Sequence, residues 1–300
     1  MPVFPSGVFV GGSLGAGAAV THTSFDHHIK SKKIVAPDSV RFDYLVNNYP
    51  ILGNRQHGDC EVAGAYHLLQ TQMAVAGQTI ALPTEAEALR VFYYLNHNTE
   101  NGLYGYQILD YWKNYGLNGI KIEEWSNINI NWDRTPYNEA KDYEDTKGQI
   151  KKAVWLFGGA MLEILFPDGF DDQYIANQPW TPEYNYQISD KLFIFSNYST
   201  YANRWIPPGT TYVNPPNGSN GHCMTICGYD DDWVYVVTWG LVKKLSWDYL
   251  FHYVTGVFAI APINWLELSK KRLAGYTDAQ LKQFLAGFKS PQFQYNEVVD

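Results

Sequence analysis

The chain has 300 residues, of which 46% are hydrophobic, and it can therefore bury the core of one large domain or of two lobes. Its 30 acidic residues outnumber 22 lysines and arginines, and the resulting formal charge of −8 offers no basic surface to a phosphate backbone. We therefore expect no nucleic-acid partner, and because no run of 18 or more apolar residues occurs, we expect no membrane span.

The first 33 residues contain glycine, serine and histidine without a sustained period, which predicts an N-terminal arm. No basic region followed by an apolar core is present there, so we expect no secretion signal and a cytoplasmic or virion-associated location. His22, His27 and His28 are not accompanied by further ligands at the spacing of a metal site. We accordingly expect neither a metal nor another cofactor.

The segment from Leu52 to Gln72 is predicted to be a glycine-containing turn followed by a helix that begins at Cys60 and ends near Gly77. Asp59 is the predicted N-cap of this helix. A thiol at a helix N-terminus lies near unpaired N–H groups and the positive end of the helix dipole, which predicts a lowered pKa. Cys60 is therefore a candidate nucleophile, because the thiolate is the reactive form.

Further helices are predicted over 83–95, within 101–119 after a glycine turn, and over 147–157. The intervening 120–145 is polar and aromatic and is predicted to be a loop. The run GGAMLEILFP, which ends at Pro167, predicts a strand.

The second half is predicted to be rich in strands. Strands are indicated at 222–229 and 233–239, joined by an acidic turn, and again at 257–261. The stretch 168–220 is rich in proline and aromatic residues and contains one predicted strand, at 191–195. A helical half that carries Cys60 is thus followed by a strand-rich half, which predicts a cleft between two lobes.

A cysteine hydrolase needs a thiolate, an imidazole, a group that orients the imidazole, and donors to the developing oxyanion. His222 begins a predicted strand and is the candidate imidazole. The backbone N–H of Cys60 and a side-chain amide, Asn54 or Gln56, are the candidate oxyanion donors. Cys223 is predicted to be an ordinary buried residue, as is Cys227.

These motifs resemble those of the papain-like cysteine peptidases. The matching features are Cys60 at a helix start, Gly221-His222 opening a strand, and the run GYDDDWVYVVTWG that leads to a tryptophan-glycine pair. NGLYGYQILDYWKNYGL looks like the family's substrate-binding turn and helix, and GGAMLEILFP like a strand of its sheet. The LGN…GDC and VTWG segments are also similar to uncharacterised papain-like proteins of phages and bacteria.

The resemblance implies that Cys60 is the nucleophile and His222 its acid-base partner. The family's oxyanion amide lies six residues before the cysteine, which places it at Asn54, with Gln56 as the alternative. Trp239 matches the tryptophan that shields the histidine's orienting contact.

The resemblance also assigns substrate binding to Gly102, Tyr104 and Gly105, together with the tryptophan. The sequence departs from the family at the orienting residue, where an asparagine is replaced by Val237. Thr238 is the polar neighbour that could replace it, although strand alternation is expected to direct it to the other face.

The resemblance implies an α+β, papain-like fold in two lobes, with a helical N-terminal half and an antiparallel-sheet C-terminal half. The predicted organisation is an arm at 1–33, a papain-like domain at 34–265 with an insertion at 168–220, and a helical tail at 266–300. A tail helix is predicted at 277–288. The aromatic insertion is predicted to roof one side of the cleft.

The expected activity is cleavage of a peptide or amide bond in a peptide or peptidoglycan-like substrate. A weakened papain-like scaffold that binds partners, such as other virion proteins, is the first alternative, favoured by the valine at the orienting position. An acyl transferase that uses the same Cys-His pair is the second.

Overall fold

A computed structural model describes residues 35–128, 130, 139–167, 179–180, 184–186, 210–212, 216–263, 277 and 279. The predicted arm at 1–33, the predicted strand at 191–195, and the predicted tail helix, apart from two of its residues, lie outside the described residues. So does most of the insertion that was predicted to roof the cleft.

The described part contains five α-helices. They are α1 (Cys60–Val75), α2 (Glu85–Leu95), α3 (Gly105–Asn114), α4 (Glu139–Phe157) and α5 (Trp247–Tyr253). Helix α2 begins with a capping box in which Thr84 and Glu87 bond each other's backbone N–H groups. The predicted positions of α1, α2 and α3 are confirmed, whereas α4 begins before the predicted residue 147.

Seven strands form one antiparallel sheet, and two short strands pair separately. The strands are β1 (Val40–Arg41), β2 (Ile122–Asn127), β3 (Ala160–Pro167), β4 (Tyr184–Tyr186), β5 (Thr210–Tyr212), β6 (Pro216–Tyr229), β7 (Trp233–Thr238), β8 (Leu241–Ser246) and β9 (Val254–Pro262). The order in the large sheet is β2-β9-β3-β6-β7-β8, and β1 pairs with the C-terminal end of β6. Strands β4 and β5 pair with each other. Strands β3 and β6 are therefore central.

Strands β2 and β8 are the two ends of this order, and the sequence analysis missed both. The prediction of a loop across 120–145 is wrong, because it contains β2 and the start of α4. Strand β8 carries a buried Lys243 and an exposed Lys244 in place of apolar residues, and this weakens its apolar pattern.

Helix α1 is buried on nearly all sides, which explains why its apolar and small residues do not form a single stripe. It packs against β6, where a Cβ added to Gly64 would lie 3.1 Å from the sulfur of Cys223. A small residue at this position therefore lets the helix that begins with Cys60 approach the strand that carries His222.

Two large apolar clusters make up the core. One surrounds α1, α2 and α3 and includes Cys60 and Cys223, while the other lies between the sheet, α4 and α5 and includes Trp239. The fold is α+β, as predicted, with α1 to α3 preceding most of the antiparallel sheet. Among the described residues, no helix combines the length and the apolar character needed to cross a membrane.

Candidate active site

A tight turn fixes the backbone before Cys60. Leu52 and Gly53 adopt left-handed conformations, with φ of 62° and 91°. The N–H of Gln56 donates to the carbonyl of Gly53 at 2.8 Å. A Cβ on Gly53 would lie 3.1 Å from Leu89 in α2, so the turn is packed closely against that helix. The chain consequently enters α1 with Cys60 as its first residue.

Cys60 is buried, with 6% of its surface exposed. Burial raises the pKa of its thiol well above the usual value, and the charges of Glu61, Asp59 and Glu163 act in the same direction. The backbone N–H of Cys223 bonds the sulfur and lowers the pKa, but it does not offset the loss of solvent. The predicted lowering of this pKa is therefore wrong, because desolvation outweighs the helix terminus.

His222 lies in a cluster of aromatic rings. Its Nε2 is 2.7 Å from Oγ1 of Thr238, and its ring stacks on Trp239 with centroids 4.5 Å apart. Phe166 covers it at 5.6 Å. Burial, followed by the charge of His67, lowers the pKa of His222 to about 3. The imidazole is therefore neutral near pH 7.

The register of β6 and β7 explains why Thr238 reaches the imidazole. Thr225 pairs with Val237, so one further step along the ladder sets Thr238 opposite Met224. His222 lies two residues before Met224 and shares its face of the sheet. The expectation that alternation directs Thr238 away from His222 is wrong, and Val237 is buried on the opposite face.

Two contacts join the turn before Cys60 to the segments around His222, one to β6 and one to the residue after β7. Cys223, whose N–H bonds the Cys60 sulfur, directly follows His222 in the chain. In addition, Nη2 of Arg55 lies 3.5 Å from the carbonyl oxygen of Trp239. The two segments that the sequence analysis singled out, about 160 residues apart, thus meet at one place.

The two candidate oxyanion amides differ in their surroundings. Asn54 is buried, and its Nδ2 donates to Oδ1 of Asp59 at 3.2 Å, whereas Gln56 is exposed. Asp59 occupies the N-cap position, as predicted, and its side chain makes no capping hydrogen bond. Burial raises the pKa of Asp59 to about 7. No sequence pattern indicated that this carboxyl would hold Asn54.

The predicted substrate-binding segment lies at the start of α3. Tyr104 is 38% exposed and stacks on Tyr106 with ring centroids 5.4 Å apart, while Gly102 is partly buried. Gly105 is buried, and its N–H donates to Oε1 of Glu163 at 2.9 Å. Trp239, the other residue assigned to substrate binding, is 5% exposed and presents its face to the imidazole.

A partly exposed cluster lies on the outer side of the same turn. Nδ1 of His57 is 3.1 Å from the hydroxyl of Tyr93 and 3.4 Å from Oε2 of Glu100, and the tyrosine donates to the other glutamate oxygen at 2.5 Å. The cluster joins the Cys60 turn to the segment before Gly102. No sequence signal indicated it, because its members come from three separate segments.

Within the described ranges, no group of three or more His, Cys, Asp or Glu residues is arranged to hold a metal ion. All three cysteines of the chain are free and buried.

No protein-family profile matches the sequence, and no curated protein matches it. Among solved structures, the chain is similar to xylellain, a cysteine protease from Xylella fastidiosa, with 11% identity, a TM-score of 0.44, and coverage of 76% of this chain and 87% of that one. It is also similar to the Carica candamarcensis cysteine protease CMS1MS2, solved with E-64, with 14% identity, a TM-score of 0.42, and coverage of 75% and 98% respectively.

Proposed function

We propose that this protein is a thiol-dependent hydrolase of peptide or amide bonds, with Cys60 as nucleophile and His222 as general base and acid. One observation carries the proposal: Nε2 of His222 lies 2.7 Å from Oγ1 of Thr238, and Cys223, the residue that follows this histidine, packs in the same buried cluster as Cys60. A nucleophile, a base and a group that orients the base are the three parts of this class of site.

The hydrogen bond to Thr238 assigns the roles of the two ring nitrogens. When Nε2 carries the proton and donates to Oγ1 of Thr238, the other nitrogen, Nδ1, is the base. It takes the thiol proton as the sulfur of Cys60 attacks the substrate carbonyl. The imidazolium of His222 then protonates the leaving amine, which breaks the C–N bond and leaves a thioester. A water molecule then attacks the thioester and gives a proton to Nδ1; the C–S bond breaks to release the carboxylic acid, and the proton returns from Nδ1 to the sulfur.

The resting site holds a neutral thiol and a neutral imidazole, because burial raises the pKa of Cys60 and lowers that of His222. Proton transfer therefore accompanies attack on the substrate, in contrast to a preformed thiolate-imidazolium pair. A base with a lowered pKa stays unprotonated in mildly acidic solution, which keeps it competent there.

The oxyanion that forms during attack needs donors. The N–H of Cys60 is at the first turn of α1, where helix N–H groups have no partner within the helix. Nδ2 of Asn54 has two hydrogens, of which the bond to Asp59 uses one. Asn54 is thus the second donor that we propose, and Gln56 is the exposed alternative.

The test is mass-spectrometric detection of products after incubation with a mixed peptide library and, separately, with purified peptidoglycan. We expect wild-type cleavage that Cys60→Ala and His222→Ala each reduce by at least about 1000-fold. Cys227→Ala is the matched control, since it removes another buried thiol that lies away from His222. Cleavage that persists in Cys60→Ala would overturn the assignment of the nucleophile.

A second candidate is a binding scaffold without catalysis. It is favoured by the burial of the pair, since Cys60 is 6% and His222 4% exposed. In this case neither substrate preparation gives products, and iodoacetamide does not distinguish Cys60 from the other two cysteines even at pH 9. Selective labelling of Cys60 together with product formation favours the hydrolase.

A further inference from the structure

Two glutamates lie close to Cys60, the candidate nucleophile. Glu61 follows Cys60 in α1 and is 3% exposed, and Glu163 lies on the central strand β3 and is partly buried. Glu61 lies three residues before Gly64, on the face of α1 that packs against Cys223, and Cys223 is the register partner of Glu163 in β6 and β3. The two carboxyls are thus brought together at Cys223, and each acts on the pKa of the other. Two ionised carboxylates have no proton to donate, so this contact is a hydrogen bond only when one of them is protonated.

The carboxyl of Glu163 is held in a narrow space between two glycines. Its Oε1 accepts the N–H of Gly105 at 2.9 Å. A Cβ on Gly105 would lie 2.8 Å from that oxygen, and a Cβ on Gly256 in β9 would lie 2.6 Å from Oε2. The carboxyl is therefore fixed by backbone from α3 on one side and from β9 on the other.

In the described part of the chain, the groups that act on these two carboxyls include no cation that would compensate their charge. The titratable side chains facing the pair are the thiols of Cys60 and Cys223, and Cys223 also bonds Glu61. Oε2 of Glu61 has no donor among the described residues. Burial raises the pKa of both glutamates, and the charge of Glu163 adds to the shift of Glu61. A proton between the two carboxyls would remove the repulsion and supply the missing donor.

We propose that Glu61 and Glu163 share one proton at neutral pH. The hydrogen-bonded pair then holds the start of α1, where Cys60 lies, against Gly105 at the start of α3. The shared proton does not depend on the function proposed above, whereas its consequence for catalysis does. The pair keeps one negative charge close to Cys60, and this charge favours the neutral thiol.

The shared proton is measured directly by infrared spectroscopy. A difference spectrum between wild type and Glu163→Gln at pH 7 should contain the C=O band of a protonated carboxylic acid, and so should the spectrum for Glu61→Gln. Glu123→Gln, which changes an exposed glutamate on β2, is the matched control and should give no such band. Absence of the band in both difference spectra would overturn the proposal.

The charge of the pair is measured by alkylation of Cys60 in a background where Cys223 and Cys227 are serine. Either single glutamine variant reproduces the singly protonated pair, so we expect alkylation rates within about twofold of wild type near pH 7. The double variant removes the remaining charge, and we expect alkylation about tenfold faster, which equals one pKa unit of the thiol. An unchanged rate in the double variant would contradict the electrostatic role. A pair that acted only through packing would not produce the tenfold increase.

Both measurements are made without a substrate. If the carboxylic acid band is present but the protein cleaves no substrate, the shared proton is supported and the proposed hydrolase is rejected. Cleavage without the band would retain the hydrolase and reject the pair. Because the single glutamine variants keep the shape of glutamate and supply a permanent donor, we expect them to fold, and circular dichroism verifies this.

Discussion

The hydroxyl of Thr238 lies 2.7 Å from Nε2 of His222, at the end of the strand next to the one that carries the histidine. A hydroxyl at this position engages one ring nitrogen, and the function proposed above gives the other ring nitrogen the role of base. Trp239, whose ring is 4.5 Å from the imidazole, closes the same face. The imidazole is therefore oriented by two consecutive residues of one segment, and neither of them is the valine that stands at the family's orienting position.

Substituting Thr238 tests this orientation. We expect Thr238→Val to lower kcat by about 100-fold with little change in KM, because a misplaced base costs rate more than it costs binding. Thr238→Ser keeps the hydroxyl and should retain most of the activity. Steady-state kinetics on a peptide found by library profiling is the measurement.

The matched control for this experiment is Thr71→Val, which removes a buried hydroxyl in α1 that donates to the carbonyl of His67. We expect this variant to lose about 1 kcal/mol of unfolding free energy and to keep its kcat. If both valine variants lose kcat equally, the effect of Thr238 is one of general stability.

The helix that begins at Cys60 and the strand that carries His222 could be predicted from sequence because they depend on local features, whereas the edge strands β2 and β8 could not. A glycine turn, small residues after Cys60 and a later Gly-His strand suffice to place α1 and β6. The ionisation of Cys60 could not be predicted, since burial comes from β3 and β6, which are far away in the chain. The contact between Thr238 and His222 depends on strand register, which single strands do not reveal.

A second prediction concerns the pH dependence of stability through Asp59. Burial raises its pKa from 3.8 to about 7 in the folded protein. The folded state therefore binds the proton of Asp59 more tightly than the unfolded state does. The contribution of this residue to the free energy of unfolding is greatest below pH 3.8 and is lost as the pH rises to about 7. Asp59→Asn removes this loss and still offers an oxygen to Asn54.

We accordingly expect Asp59→Asn to be more stable than wild type at pH 8, by at most about 4 kcal/mol, with the difference shrinking towards pH 4. Urea unfolding at several pH values is the measurement. Asp232→Asn, in the exposed turn between β6 and β7, is the control and should leave the pH dependence unchanged. A constant difference between wild type and Asp59→Asn across pH would show that this carboxyl does not titrate differently in the two states.

A third prediction follows from the raised pKa of Cys60. In a protein with Cys223 and Cys227 changed to serine, the rate of iodoacetamide labelling should be low at pH 6. It should then rise about tenfold per pH unit into the alkaline range, because the thiolate is the species that reacts. Mass spectrometry of the labelled peptide gives the rate. A plateau reached below pH 7 would instead indicate a thiolate already paired with an imidazolium.

The fourth prediction tests how closely Gly105, at the start of α3, packs against the sheet. A Cβ at Gly105 would lie 2.7 Å from the ring of Phe258 and 2.8 Å from Oε1 of Glu163, and neither neighbour is an exposed flexible end. Gly105→Ala should therefore lower the free energy of unfolding by about 1–3 kcal/mol. Gly148→Ala in α4 is the matched control, because a Cβ there would meet nothing within 4 Å and alanine should stabilise the helix by about 0.5–1 kcal/mol. Chemical denaturation of both variants gives the two signs, and stabilisation by Gly105→Ala would show that the start of α3 can move away from Glu163.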